Sequence, residues 1–304
     1  MQPYRRLSSA FLMLAITACS AQTPQIKLEP SPSPTSTSQP VTISTNTAVP
    51  VTSGPPSCDN WGSLPVIPVV SETARDVYQR GQASGNDPHA FSKIGDGEIS
   101  ASWFLTAFDL GEDYYDLGTY QNLLPAIDHF DGSFERIGTA ARRGFNTQLI
   151  LDPSASDPNL CESGESPLSC ELRVHRPAFA ILSLGTNQAW RRDEFVAGMR
   201  KILDILLSNN VVPILSTKGD NLEGDHGINR TIACLAQEYD VPLWNFWSAI
   251  QPLPNHGLQP DLEHLTYGIN DFDDVHAMQT AWTHRNLTAL QALDAVWRGA
   301  AAQR

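Results

Sequence analysis

The stretch FAILSLGTN, at residues 179–187, decides the fold of this chain. Five of its first six residues are apolar, and glycine, threonine and asparagine follow directly. A continuous apolar run of this length, ended by turn residues, is typical of a strand that is buried on both faces of a sheet. Apolar residues at helical spacing come next, at residues 195–207, so this strand leads into a helix.

Strands and helices alternate along the chain on both sides of this stretch. Further strands are predicted at residues 91–94, 211–215 and 241–244, and further helices at residues 98–105, 228–239 and 286–297. Strands that are apolar on both faces need helices on both sides of the sheet. We therefore predict an α/β fold: a three-layer sandwich with a mostly parallel central sheet that helices cover on both faces. Residues 58–304 are expected to form one domain.

The composition is that of an ordinary globular protein with additional proline, and the charge is acidic. The 304 residues include 20 Lys+Arg and 33 Asp+Glu, which gives a formal net charge of −13. Binding to a phosphate backbone requires clustered Lys and Arg side chains, and this sequence has no such cluster. We therefore expect no nucleic-acid partner, and the sequence does not indicate an oligomeric state.

The amino-terminal segment is typical of an export signal. Arg5 and Arg6 precede an apolar stretch at residues 7–18, which is too short to cross a bilayer but long enough for a secretory signal. Small residues stand immediately before Cys19, and this pattern resembles the lipobox of bacterial lipoproteins. The resemblance implies that residues 1–18 are removed as a signal peptide and that the Cys19 thiol carries lipid; a plain signal peptide is the alternative. The expected location is extracytoplasmic, anchored to a membrane of the cell envelope.

Between this signal and the predicted domain the chain reads as a tether. Residues 19–57 are rich in Ser, Thr and Pro and show neither helical nor strand periodicity. Such a composition buries too little apolar surface to offset the entropy lost on ordering. We predict a linker that joins the lipid to the folded domain.

Four cysteines follow Cys19 and allow three pairings in an oxidising compartment: Cys58, Cys161, Cys170 and Cys234. Cys161 and Cys170 flank a loop of Gly, Ser and Pro and are the expected disulfide. Cys234 lies on the apolar face of a predicted helix, so both a buried thiol and a disulfide with Cys58 stay open. The cysteine spacing is not that of a zinc site, and no metal is expected.

Short polar motifs follow the predicted strands, where parallel sheets bind their ligands. GDG at residues 95–97 is the first block, Gly144 in a turn is the second, GTN at residues 185–187 is the third, and DLEH at residues 261–264 is the fourth. In their order and spacing these blocks resemble those of the SGNH/GDSL hydrolase family, in the form of a bacterial lipoprotein. The resemblance implies a flavodoxin-like sandwich that hydrolyses acyl or acetyl esters.

The same resemblance assigns a role to each block. In the family, a serine of the first block attacks the ester, a histidine takes its proton, and an aspartate three residues earlier orients the imidazole. Carried over by position, the site comprises the base His264, its orienting partner Asp261, the oxyanion donors Asn187, Gly144 and Gly97, and the first-block Asp96.

The chain departs from the family motif at the decisive position. Gly97 stands where the family has the attacking serine, so the resemblance implies an esterase-type site that is weak or inactive, and whether the chain is an enzyme stays open. Ser100 is a candidate substitute nucleophile, although a helix would place it about 4.5 Å further along the axis. The alternative function is a non-catalytic module that binds a small ester or an acylated carbohydrate.

Each of these residues also has a purely structural interpretation. Gly97 fits a turn glycine with positive φ, Asp96 and Asn187 fit helix N-caps, and His264 fits an ordinary loop histidine. The segment GDGEIS at residues 95–100 lacks the third glycine or alanine of a dinucleotide-binding fingerprint, so no cofactor is expected.

Three tryptophans offer aromatic faces that stack on sugar rings or pack in a core: Trp190, Trp244 and Trp247. For the last two, core packing is the preferred interpretation.

Overall fold

The computed structural model describes residues 58–302. The predicted signal peptide, Cys19 and the whole predicted tether lie outside the described residues. Within the described part of the chain, no helix combines the length and the hydropathy that crossing a bilayer would require.

Four parallel strands form the central sheet, in the order β1-β2-β3-β4. They are β1 (Asp87–Gly95), β2 (Pro177–Ser183), β3 (Val212–Ser216) and β4 (Leu243–Trp244). Gly95 at the end of β1 pairs with Ser183 of β2 on one side and forms a single parallel bridge to Ala141 on the other. The chain thus leaves β1 in one direction and returns on its other side, which makes the end of β1 a topological switch point, where such sheets bind ligands.

Nine α-helices surround this sheet within residues 58–302: α1 (Glu72–Ser84), α2 (Ala107–Leu110), α3 (Leu124–His129), α4 (Thr147–Leu151), α5 (Pro167–His175), α6 (Arg192–Ser208), α7 (Gly227–Glu238), α8 (Phe246–Ile250) and α9 (Ala281–Ala301). One apolar core contains side chains of α1, α2, α3, α8 and α9, and a second contains side chains of α4, α5, α6 and α7. Alternate residues of β2 supply the two cores: Phe179 and Ile181 the first, Ala180 and Leu182 the second. The predicted three-layer α/β fold with a parallel central sheet is confirmed.

The prediction of a helix at residues 98–105 is wrong. The chain after Gly95 forms turns and bends, and the first helix to follow is the four-residue α2. The Asp96 N–H donates to the carbonyl oxygen of Ser183, and the Asp96 carboxylate accepts from the Glu98 N–H at 3.2 Å. These bonds fix a tight turn in place of a helical start, because a short acidic side chain that bonds nearby backbone competes with helix formation.

The glycine that the turn requires is Gly95. Its φ is +152°, and a Cβ atom at this position would collide with the carbonyl oxygen of Ser183. Only glycine adopts this conformation without strain, so it lets β1 and β2 meet closely at the site.

Two disulfides are present among the described residues. Cys161 and Cys170 are joined as expected, and Cys58 is joined to Cys234 of α7, which resolves the pairing that the sequence leaves open. The second bond connects the first described residue to a helix 176 positions later in the chain.

A buried carboxylate holds the segment before Gly144 against β1. Glu171 of α5 accepts from Ser92 Oγ of β1 at 2.6 Å and from the Thr139 N–H at 2.8 Å, and it forms an ion pair with Arg136. Burial works to raise the pKa of Glu171, but the hydrogen bonds and charge of Arg136, together with Ser92 and Thr139, lower it below the ordinary value. The second block therefore has a fixed position relative to the first.

We expect Glu171→Gln to lower the free energy of unfolding by about 3–5 kcal/mol, because Arg136 is then left without its buried counter-charge. Glu165→Gln is the matched control, since Glu165 pairs with Arg173 at the surface and should give a much smaller loss in urea unfolding.

The Glu171 pKa is lowered in the folded state, so its stabilisation is present above the ordinary carboxyl pKa and is lost as the pH falls through the lowered one. The gap between Glu171→Gln and the unmodified chain should therefore shrink in acid. Equal losses of unfolding free energy in Glu171→Gln and Glu165→Gln at neutral pH would contradict the stabilising role of Glu171.

Candidate active site

The first and second blocks meet at the carboxyl end of β1. The carbonyl oxygen of Gly95 accepts from the Arg142 N–H at 3.1 Å, two residues before Gly144. The Asp96 N–H bonds to Ser183, which ends β2 just before the third block. Main-chain hydrogen bonds thus tie three of the four blocks to one edge of the sheet.

Asn187 of the third block reaches across to the second. Its Nδ2 donates to the carbonyl oxygen of Phe145 at 2.9 Å, beside Gly144. This bond orients the amide and leaves its second N–H directed to other partners. Asn187 donates here, whereas a helix N-cap side chain accepts, so the contact differs from the cap interpretation. Both Asn187 and Gly144 are exposed residues.

The fourth block contains an imidazole held by a carboxylate. His264 Nδ1 lies 2.8 Å from Asp261 Oδ2, and the His264 N–H donates to Asp261 Oδ1 at 3.0 Å. The N–H groups of His264 and Glu263, followed by the imidazole, lower the pKa of Asp261 to about 2. The hydrogen bond to Asp261 raises the pKa of His264. With Nδ1 bound to Asp261, Nε2 is the nitrogen left for a reacting group.

Position 97 has room for a side chain. Gly97 is half-buried, and its φ lies outside the left-handed region, so the interpretation of Gly97 as a positive-φ turn glycine is wrong. A Cβ atom built there would lie 3.7 Å from Cγ of Arg143, an ordinary van der Waals contact. The backbone therefore tolerates serine at this position.

Glu98 links the fourth block to the first. Its negative charge contributes to the raised pKa of His264, and the charge of His264 in turn lowers the pKa of Glu98. The two side chains are therefore within electrostatic range of each other, and this interaction of charges is the link between the fourth block and the first.

Asp96 lies beneath this turn and is buried, with 5% of its surface exposed. Burial, followed by the charge of Glu98, raises its pKa to about 7. Its hydrogen bond to the Glu98 N–H gives it a structural role in shaping the turn.

The structure does not bring Ser100 together with the base. The Ser100 N–H donates to the carbonyl oxygen of Asp96 at 3.1 Å, and Ser100 Oγ lies 3.5 Å from that of Gly97. No hydrogen bond between Ser100 and His264 is present within residues 58–302.

Several charged residues of the site escaped the sequence analysis. Lys218 and Asp220 follow β3, and they form a buried ion pair that Glu223 extends. Asp220 also accepts from Thr186 Oγ1 of the third block at 2.6 Å. Their position directly after an apolar strand was the available signal.

The three tryptophans have different environments. Trp244 is fully buried in the first core, so core packing is confirmed for it. Trp247 is half-buried and packs on Trp61 with ring centroids 4.7 Å apart, outside both cores. Trp190, three residues after Asn187, is 77% exposed.

One cluster within residues 58–302 has the composition of a metal site, namely Cys161, Glu165 and Cys170. Both sulfur atoms belong to a disulfide and are therefore not thiolate ligands.

No protein-family model matches the chain, and no curated protein matches it. Among solved structures, the chain is similar to a GDSL-like lipase from Bacteroides thetaiotaomicron, with 14% sequence identity and a TM-score of 0.38. The match covers 73% of this chain and 98% of that one. A similarity of this size does not establish an activity.

We expect Asp261→Asn to lower the pKa of His264, because the charged hydrogen-bond acceptor that stabilises the imidazolium is lost. An NMR titration of the His264 ring protons measures it, with assignment by loss of the signal in His264→Asn. Glu263→Gln is the control and should give a smaller decrease, since Glu263 acts on His264 through charge without a side-chain hydrogen bond. An unchanged His264 titration in Asp261→Asn would show that the pair does not form in solution.

Proposed function

We propose that this chain is an exported, lipid-anchored protein whose cleft is of the SGNH ester-hydrolase type and hydrolyses acyl or acetyl esters weakly, with water in place of the missing serine. The observation that carries this proposal is the bond between Asp261 and His264, which occupies Nδ1 and leaves Nε2 for a reacting group. The resemblance of the four blocks to the family supports it. The disulfides support an oxidising, extracytoplasmic location.

In this proposal the cleft stabilises charge on the ester oxygen. The N–H groups of Gly97 and Gly144 and the second amide N–H of Asn187 are the donors, and His264, oriented by Asp261, is the acid–base group. Donors that are already in place lower the barrier without reorganisation. A serine hydrolase that lacks a triad member retains about 10³–10⁴-fold catalysis over water, so slow turnover is expected.

A second candidate function is a non-catalytic module that binds a small ester or an acylated carbohydrate. Gly97 itself favours it, because the position has no hydroxyl group to form an acyl-enzyme. The exposed face of Trp190 offers a surface for stacking on a sugar ring.

We expect Gly97→Ser to increase the turnover of p-nitrophenyl acetate about 100-fold or more, because the new hydroxyl restores the covalent route beside His264. The same variant should be labelled by a fluorophosphonate probe, which reacts with an activated serine. Release of p-nitrophenol and mass spectrometry of the labelled peptide measure the two effects.

Two matched variants separate the hydroxyl from its surroundings. Gly97→Ala adds the Cβ atom without the hydroxyl and should leave turnover at the level of the unmodified chain. Adding His264→Ala to Gly97→Ser should remove the gain. If Gly97→Ser is folded but as slow as Gly97→Ala and is not labelled, the proposal of an ester-hydrolase cleft is wrong. Labelling that is lost when Ser100 is replaced would instead identify Ser100 as the nucleophile.

A further inference from the structure

Glu98 is the side chain that directly follows the position of the missing nucleophile. It is 21% exposed, so solvent and a ligand reach it, while its Oε2 lies 3.3 Å from Nη1 of Arg285. Arg285 of α9 has no exposed side-chain surface. A partly exposed carboxylate is thus paired with a buried cation.

The position of Arg285 is fixed by its surroundings. Its guanidinium carbon lies 4.8–5.8 Å from the centroids of four rings, those of Phe104, Trp244, Phe246 and Trp282. Its Nη2 donates to Ser183 Oγ at 2.8 Å, while Nε and Nη1 have no hydrogen-bond partner within the described residues, so the contact of Nη1 with Glu98 is an ion pair without a hydrogen bond. A guanidinium does not lose its proton in proteins, so this buried charge needs a carboxylate nearby. Glu98 supplies it and is thereby kept in place.

Charged groups from several elements face Glu98. Burial raises the pKa of Glu98, Arg285 of α9 lowers it, and Asp220, which follows β3, raises it. Lys218 and His264 lower it, and the net pKa is above the ordinary carboxyl value. The charge of Glu98 in turn raises the pKa of Asp96, two residues earlier. A carboxylate whose pKa is raised toward neutrality is a stronger base than an ordinary one.

We propose that Glu98 is the general base that replaces the serine route, taking a proton from the water molecule that attacks the ester carbonyl next to Gly97. This inference rests on the proposed ester hydrolysis and identifies the residue that performs its first proton transfer.

In this reaction, water attacks the ester carbonyl directly and no acyl-enzyme forms. The water oxygen forms a bond to the carbonyl carbon, one water proton moves to Glu98, and the carbonyl oxygen becomes an oxyanion. The oxyanion collapses, the bond to the alkoxy oxygen breaks, and protonated His264 donates its Nε2 proton to the departing alcohol. Glu98 then returns a proton to His264 through solvent or directly, and the products are a carboxylic acid and an alcohol.

The surroundings of His264 suit the role of acid. Asp261, Glu263 and Glu98 all raise its pKa, which keeps the imidazole protonated to higher pH than an ordinary histidine. When both groups are ionised, Glu98 and His264 carry opposite charges, so each favours the charged form of the other.

The test combines Glu98→Gln with the Gly97→Ser variant. In the unmodified chain, Glu98→Gln should reduce the slow turnover of p-nitrophenyl acetate about 100-fold, toward the background rate, because the amide does not accept the proton. Turnover by the unmodified chain should rise with pH as Glu98 loses its proton, and Glu98→Gln should abolish this rise. In the Gly97→Ser background, Glu98→Gln should leave most of the serine-dependent turnover intact, since the neutral form of His264 is the base for a serine. Glu194→Gln, on the exposed face of α6, controls for unspecific effects.

The outcomes separate this inference from the proposed function. An active double variant shows that Glu98→Gln leaves the fold and the cleft intact, so its slow counterpart measures the loss of the base. Because Glu98→Gln also removes the counter-charge of Arg285, circular dichroism must show that each variant is folded. If Glu98→Gln leaves turnover of the unmodified chain unchanged, or if the folded double variant is inactive, the inference is overturned while Gly97→Ser still supports the cleft. If Gly97→Ser itself is inert, the proposed function fails.

Discussion

The parallel direction of the strands is the constraint on which the site depends. Because β1, β2 and β3 run the same way, the residues that follow all three lie at one edge of the sheet. The apolar strands bury both faces of the sheet and fix that edge against the two cores. Residues that are far apart in the chain, such as Glu98, Thr186 and Asp220, thereby share one small region.

Bringing these residues together has an electrostatic consequence. Charged side chains at the strand ends are removed from water, and each needs a counter-charge or a hydrogen bond to stay ionised. Lys218 and Asp220 form one such pair, and Arg285 and Glu98 form another. Burial raises the pKa of Asp96 to about 7 in the same region. Shifted pKa values of this kind occur at functional sites and in structural ion-pair networks alike.

The fold was predictable from the sequence because strands buried on both faces are apolar at nearly every position, as at residues 179–184. The bond between Asp261 and His264 was also within reach, since it joins residues three apart. The turn that replaces the helix predicted at residues 98–105 was not predictable. The Asp96 N–H bonds to the end of β2, a contact that is distant in the chain and overrides local helix propensity. The pairing of Glu98 with Arg285 depends on how α9 packs under the sheet edge, which no local pattern encodes.

A thiol introduced by Gly97→Cys tests most directly whether the fourth block meets the first. The rate of alkylation by iodoacetamide, followed by mass spectrometry on the peptide that carries position 97, gives the pKa of this thiol. It should ionise at lower pH in Gly97→Cys than in the same variant with His264→Ala, because a neighbouring imidazolium stabilises the thiolate. Identical profiles would show that the imidazole lies elsewhere and would contradict the convergence of the four blocks on one pocket.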